Sequence, residues 1–135
     1  MKNTTFRSIL AIVVGIAAGV GITLLTDNLL EMAGYIPPRG VPPNDKILAV
    51  ATAYRTVYGV LSAWLIARLA PNRPMRHVMI AGTLGLAVAL LGAIVTWNHV
   101  NEFGPHWYPI LLTVLALPQS WLGARLHEWS SAKPA

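Results

Sequence analysis

Arg55 is a cation in the middle of an apolar run, Ile47 to Ala67. A charge in such a place is costly enough to require a partner or a use. It lies nine residues past Lys46, roughly 13 Å below the end of the helix this run predicts. Asp27 lies six residues before Ala33 in the preceding apolar run, roughly 9 Å below the matching end of its own helix. Successive helices run antiparallel, so the two side chains reach a similar depth. An Arg55–Asp27 ion pair is expected, with Glu31 one turn above Asp27 on the same face. Tyr58 and Ser62 continue the Arg55 face by helical spacing, and Tyr54 is adjacent. This group can serve as an anion or substrate site, or as a proton-coupled relay open to the outer side. It can equally be a structural pair that fixes helix register while Arg55 partly snorkels outward.

The second group is Trp97-Asn-His-Val-Asn-Glu-Phe-Gly-Pro-His-Trp-Tyr108, which brings His99, Glu102 and His106 close together in sequence. Neutral imidazoles and a carboxylate are ligands for Zn²⁺ or another divalent metal, and a histidine can ligate haem. The spacing lacks the helical H-E-x-x-H arrangement, and Pro105 separates His106 from the other two. A loop with interfacial aromatics and polar caps accounts for the same residues, so no cofactor is assigned. His77 and His127 accompany Arg76 and Arg125 and read as headgroup contacts or helix caps. No nucleotide loop, G-x-S-x-G elbow or paired catalytic carboxylate motif occurs. The chain has no cysteine, which removes thiolate metal sites, Fe–S clusters, disulfides and thiol nucleophiles.

The elements that must position these groups follow from hydropathy. Hydrophobic residues make up 55% of the 135 and charged residues only 11%, against about 25% charged in a soluble domain. The mean hydropathy is +0.55. Four blocks carry the apolar residues: Ser8 to Thr26 and on to Ala33, Ile47 to Ala67, Val78 to Trp97, and Trp107 to Ala124. About 20 apolar residues cross a bilayer as a helix, and in lipid the backbone must satisfy itself. The expectation is an all-α membrane protein, a four-transmembrane-helix antiparallel bundle forming a single domain over 1–135. Helices are placed at about 6–33, 46–69, 75–98 and 106–127. The proline-rich stretch Gly34 to Pro43 and the turn Ala70-Pro-Asn-Arg-Pro74 break the chain between them. Block one is too long for a signal h-region and lacks a cleavage site, so it is expected to remain.

Lys2, Arg7, Arg68, Arg73, Arg76, Arg125 and Lys133 gather on one side, against Arg39 and Lys46 on the other. The positive-inside rule then puts both termini in the cytoplasm. The net charge of +5 forms no continuous stripe, so nucleic acid is not an expected partner; the lipid bilayer is. Gly15-x-x-x-Gly19, Gly59-x-x-x-Ala63 and Gly85, Ala89, Ala93 are small-residue stripes. They are expected to pack helices within the chain, and the same stripes can serve a homodimer. Pro118 should kink the fourth helix, and Gln119 beside it can cap a neighbour.

Tyr54-Arg-Thr-Val-Tyr-Gly59, Ala67-Arg-Leu-Ala-Pro-Asn-Arg-Pro-Met-Arg-His77, Thr96-Trp97, Phe103-Gly-Pro-His-Trp-Tyr-Pro109 and Pro118-Gln-Ser-Trp-Leu-Gly123 resemble a group of small bacterial integral membrane proteins. The resemblance covers most of the chain from the first helix onward. It implies a bacterial inner (plasma) membrane location with four spans, and no activity. The small multidrug-resistance transporters are similar in helix count and length, but they rely on a glutamate within the first helix. Here the nearest acids, Asp27 and Glu31, are displaced toward the outer end.

The resulting functional expectation is an accessory or structural subunit of a membrane complex, since connectors this short leave little room for catalytic apparatus. The alternative is a small dimeric transporter or channel using Arg55 with Asp27 or Glu31. A second alternative is a metal- or haem-binding membrane protein using His99, Glu102 and His106.

Overall fold

The computed structural model describes residues 2–37, 41, 43–99 and 105–131. Four helices form it: α1 (Lys2–Met32), α2 (Asp45–Leu69), α3 (Pro74–Thr96) and α4 (Trp107–Ser131). No strand occurs among the described residues. The sequence bounds agree closely at α2 and α3, while α1 starts earlier and α4 ends later than expected. Asn44 caps α2, its side-chain oxygen accepting the Ile47 amide hydrogen at 2.9 Å. Pro74 opens α3, where its missing N–H costs nothing. α4 continues as helix through Pro118, whose ring lies on an exposed face.

Sequential helices are antiparallel, yet the most extensive contact is between the parallel pair α2 and α4. Their register is even along the interface: Asp45 meets Trp107, Gly59 meets Gln119 and Ala63 meets Gly123. Small residues cause this closeness. A Cβ added at Gly123 would stand 2.5 Å from the Val60 carbonyl oxygen and 2.9 Å from the Trp64 nitrogen, so only glycine allows the backbones to approach this far. α3 closes the other side of α4, while α1 lies along α2 and touches α3 lightly. The arrangement is a three-helix core of α2, α3 and α4 with α1 as a flank.

The small-residue stripes divide accordingly. Gly15 and Gly19 pack on Ser62 and Ile66 of α2, and Gly59 and Ala63 pack on α4. Of the expected stripe on α3, Gly85 has open space where a Cβ would go, while Ala89 and Ala93 are half-buried; α3 packs most deeply through Val78, Ala81 and Gly82.

Burial is distributed by size. Most of the buried hydrophobic residues are alanines, among them Ala11, Ala63, Ala67 and Ala124, and the largest fully buried side chain is Val78. Long apolar side chains point outward instead, for example Val88 at 70% exposure and Ile94 at 71%. α1, over Asn3–Met32, and α3 are each long and apolar enough to cross a membrane. α2 and α4 are less apolar in composition because Arg55, the tyrosines, Gln119 and Ser120 interrupt them.

Candidate functional site

The antiparallel register of α1 and α2 sets Thr26 and Asp27 against Tyr54, Arg55 and Tyr58. Arg55 Nη2 donates to Asp27 Oδ2 at 2.5 Å, and the Tyr54 hydroxyl donates to Asp27 Oδ1. Each carboxylate oxygen thus accepts one hydrogen bond, and the pair is part-exposed, at 34% for Arg55 and 25% for Asp27. Thr26 directs its single hydroxyl hydrogen to the Ile22 carbonyl at 2.8 Å. Tyr58 must therefore be the donor in its 2.9 Å bond to Thr26. One turn further, Ser62 donates to the Gly15 carbonyl at 2.7 Å. These bonds run down one seam and lock α1 to α2.

Glu31 does not join the cluster. It is exposed, and the ion pairs among the described residues are Arg55–Asp27 and Arg125–Glu128. Tyr108 of α4 presents its ring 6.0 Å from the Arg55 guanidinium carbon, at the outer limit of cation–π attraction. Arg55 Nε is buried and has no hydrogen-bond partner.

Because α1 barely meets α3, a cleft of ≈ 440 Å³ opens between them. Gly85 and Ala89 form part of one wall, Gly19 and Thr23 part of the other, and Arg55 and Gln119 belong to the floor. The Gln119 amide lies flat over Gly59, where an added Cβ would come 2.9 Å from its Oε1. Chemically, the site offers a neutralised ion pair and an amide beside a mostly apolar cleft.

The second group is differently arranged. Glu102 lies outside the described residues. The His106 ring stacks on Trp97 at 3.7 Å and 7°, and its Nε2 bonds the Trp97 carbonyl at 2.7 Å. That bond commits Nε2 as a donor, since a carbonyl only accepts. Among the described residues no three His, Asp or Glu side chains converge as a metal site would require.

His77, expected as a headgroup contact or cap, is buried. Its Nδ1 faces the Arg73 carbonyl at 3.0 Å and its Nε2 faces Ser8 Oγ of α1 at 2.8 Å. The carbonyl only accepts, so Nδ1 carries a proton and donates to it, while Nε2 bonds the Ser8 hydroxyl. This is the one polar link between α1 and α3 among the described hydrogen bonds.

Depth along the helices brings Arg55, Asp27, Tyr54 and Tyr58 together in the sequence, but not Thr26, Tyr108 or the bridging role of His77. Thr26 adjoins Asp27 and is a readable signal; the stretch that holds Tyr108 reads only as a loop with interfacial aromatics. Comparison with family models, with curated proteins and with solved structures returns no match.

Proposed function

We propose that the protein is an integral membrane protein whose four helices all cross a bilayer, serving as an accessory subunit of a larger membrane assembly. The observation that carries this reading is the burial pattern: mostly alanines inside, and most of the leucines, isoleucines and valines partly or fully outside. In water an apolar surface this extensive would aggregate. In lipid it is the favourable surface, and helix association then depends on close backbone packing through small residues. The polar residues that lower the hydropathy of α2 and α4 lie largely between helices, so their outer faces remain compatible with lipid. Arg68, Arg73 and Arg76, in and beside the 70–73 turn, support an orientation with that end and both termini on the cytoplasmic side. The accessory role rests on Arg55, whose charge is neutralised by a partner within the chain, as suits a fastener between helices.

Alkaline carbonate washing of membranes tests the first half. The protein should stay with the bilayer and be released only by detergent; release by carbonate alone defeats the reading. Single cysteines at Asn3 and Asn72 should be labelled from one side, and one at Asn44 from the other. For the accessory role, mild-detergent purification from native membranes should recover a stoichiometric partner, and a chain recovered alone argues against it.

A second reading, a small transporter or channel, is favoured by one observation: the cleft places Arg55 and Asp27 on a ≈ 440 Å³ space, within the usual range of ligand sites. Flux in proteoliposomes that disappears in Arg55→Met while the fold persists would establish it in place of the first.

A further inference from the structure

A separate cavity of ≈ 540 Å³ lies between the N-terminal parts of α1 and α3. Its rim carries Arg73 and Arg76, and its slope is formed by Ile9, Ile12 and Ile80. The two arginines are exposed, and neither they nor Arg7 pair with a carboxylate among the described residues. The other arginines of this end are engaged: Arg68 lies over Trp64, and Arg125 lies over Trp121 and Trp129 and pairs with Glu128. Arg73 and Arg76 thus bring to this cavity two cations without carboxylate or ring partners among the described residues. Arg73 holds a left-handed backbone conformation, φ 41° and ψ 62°, the only non-glycine with positive φ among the described residues. In this turn its carbonyl accepts from the Arg76 and His77 amides and from the His77 ring. His77 then ties the cavity's back wall to Ser8, leaving the two guanidinium groups and the Asn72 amide as its open polar donors.

We propose that this cavity binds an acidic phospholipid, the phosphate held by Arg73 and Arg76 and an acyl chain laid along Ile9, Ile12 and Ile80. A guanidinium pair matches a phosphate by forked hydrogen bonds as well as by charge, and a basic pocket between helices near the cytoplasmic face is where such headgroups bind. The aliphatic slope directly below the cations selects an amphiphile over free phosphate. His77 and Ser8 are positioning residues, since both His77 nitrogens face protein atoms. The proposal rests on the membrane reading above.

The test is native mass spectrometry of the full chain released from vesicles of mixed phosphatidylglycerol and phosphatidylcholine. The wild type should retain phosphatidylglycerol in preference by about 30-fold, roughly fivefold per arginine. Arg76→Gln, in regular helix, and Arg73→Asn, which tolerates the left-handed backbone, should each lose about fivefold. Arg125→Gln, at the same end but already paired, should keep the full preference. Equal retention of both lipids, an equal loss in Arg125→Gln, or displacement of the lipid by millimolar inorganic phosphate would each overturn the proposal. Failure to enter these vesicles would instead overturn the membrane reading itself.

Discussion

The Arg55 guanidinium crosses from α2 to the Asp27 carboxylate of α1, and Tyr54 from the preceding position of α2 donates to the other oxygen of the same carboxylate. Two adjacent side chains of one helix thus close on a single residue of its neighbour. The consequence for stability is asymmetric. Deleting one charge leaves the other without compensation, whereas deleting both leaves an uncharged seam.

Asp27→Asn should therefore destabilise the bundle by about 2–3 kcal/mol, less than for a fully buried pair because both groups are part-exposed. Asp27→Asn combined with Arg55→Met should recover most of that loss. Unfolding in mixed detergent micelles, followed by helical circular dichroism, measures both. A double variant no more stable than Asp27→Asn would show that the pair does more than neutralise charge.

The hydroxyls of Tyr54 and Tyr58 differ in what they meet. Tyr54 donates to a carboxylate and Tyr58 to the Thr26 hydroxyl. Tyr54→Phe should cost about 1.5–3 kcal/mol and Tyr58→Phe about 0.5–1.5 kcal/mol. The same unfolding measurement ranks them, and an inverted order would contradict the hydrogen-bond assignment.

Gly123 and Gly85 make a matched pair for packing. Gly123→Ala would drive a methyl group into the Val60 and Trp64 backbone and should cost about 1–3 kcal/mol. Gly85 faces open space, so Gly85→Ala should be neutral or stabilising by up to about 1 kcal/mol through helix propensity. A large loss at Gly85 would mean that α3 packs against something on that face.

The ion pair was legible because rise per residue and antiparallel order fix depth, and depth was enough to match Asp27 with Arg55. Rotation about the helix axis was less legible, which is why Glu31 was grouped with Asp27 although it turns outward. The small residues on α1 and α2 read as packing surfaces, but on α3 Gly85 and Ala89 line the cleft. Nothing in a four-residue period tells which neighbour a stripe will meet. The cleft follows from α2 pairing in parallel with α4, a long-range choice made by the fit of Gly123 to Ala63 and Val60. His77 was read from its basic neighbours, and its burial depends on Ser8, distant in sequence and brought near only by the fold.

The absence of cysteine makes a direct test of the α1 seam possible. A Cβ placed at Gly19 would stand 2.9 Å from the Ser62 Cβ, close to the 3.5–4.5 Å that a disulfide spans and within a small backbone adjustment of it. Gly19→Cys with Ser62→Cys should therefore cross-link within one chain under mild oxidation, giving a faster-migrating monomer on a non-reducing gel. Gly19→Cys alone should stay largely unlinked, because Ser62 already covers that position. The Gly15-x-x-x-Gly19 surface would otherwise be free to pair two copies of the chain. Disulfide-linked dimers from the single variant, with no internal link in the double, would assign the stripe to dimerisation and remove α1 from its place against α2.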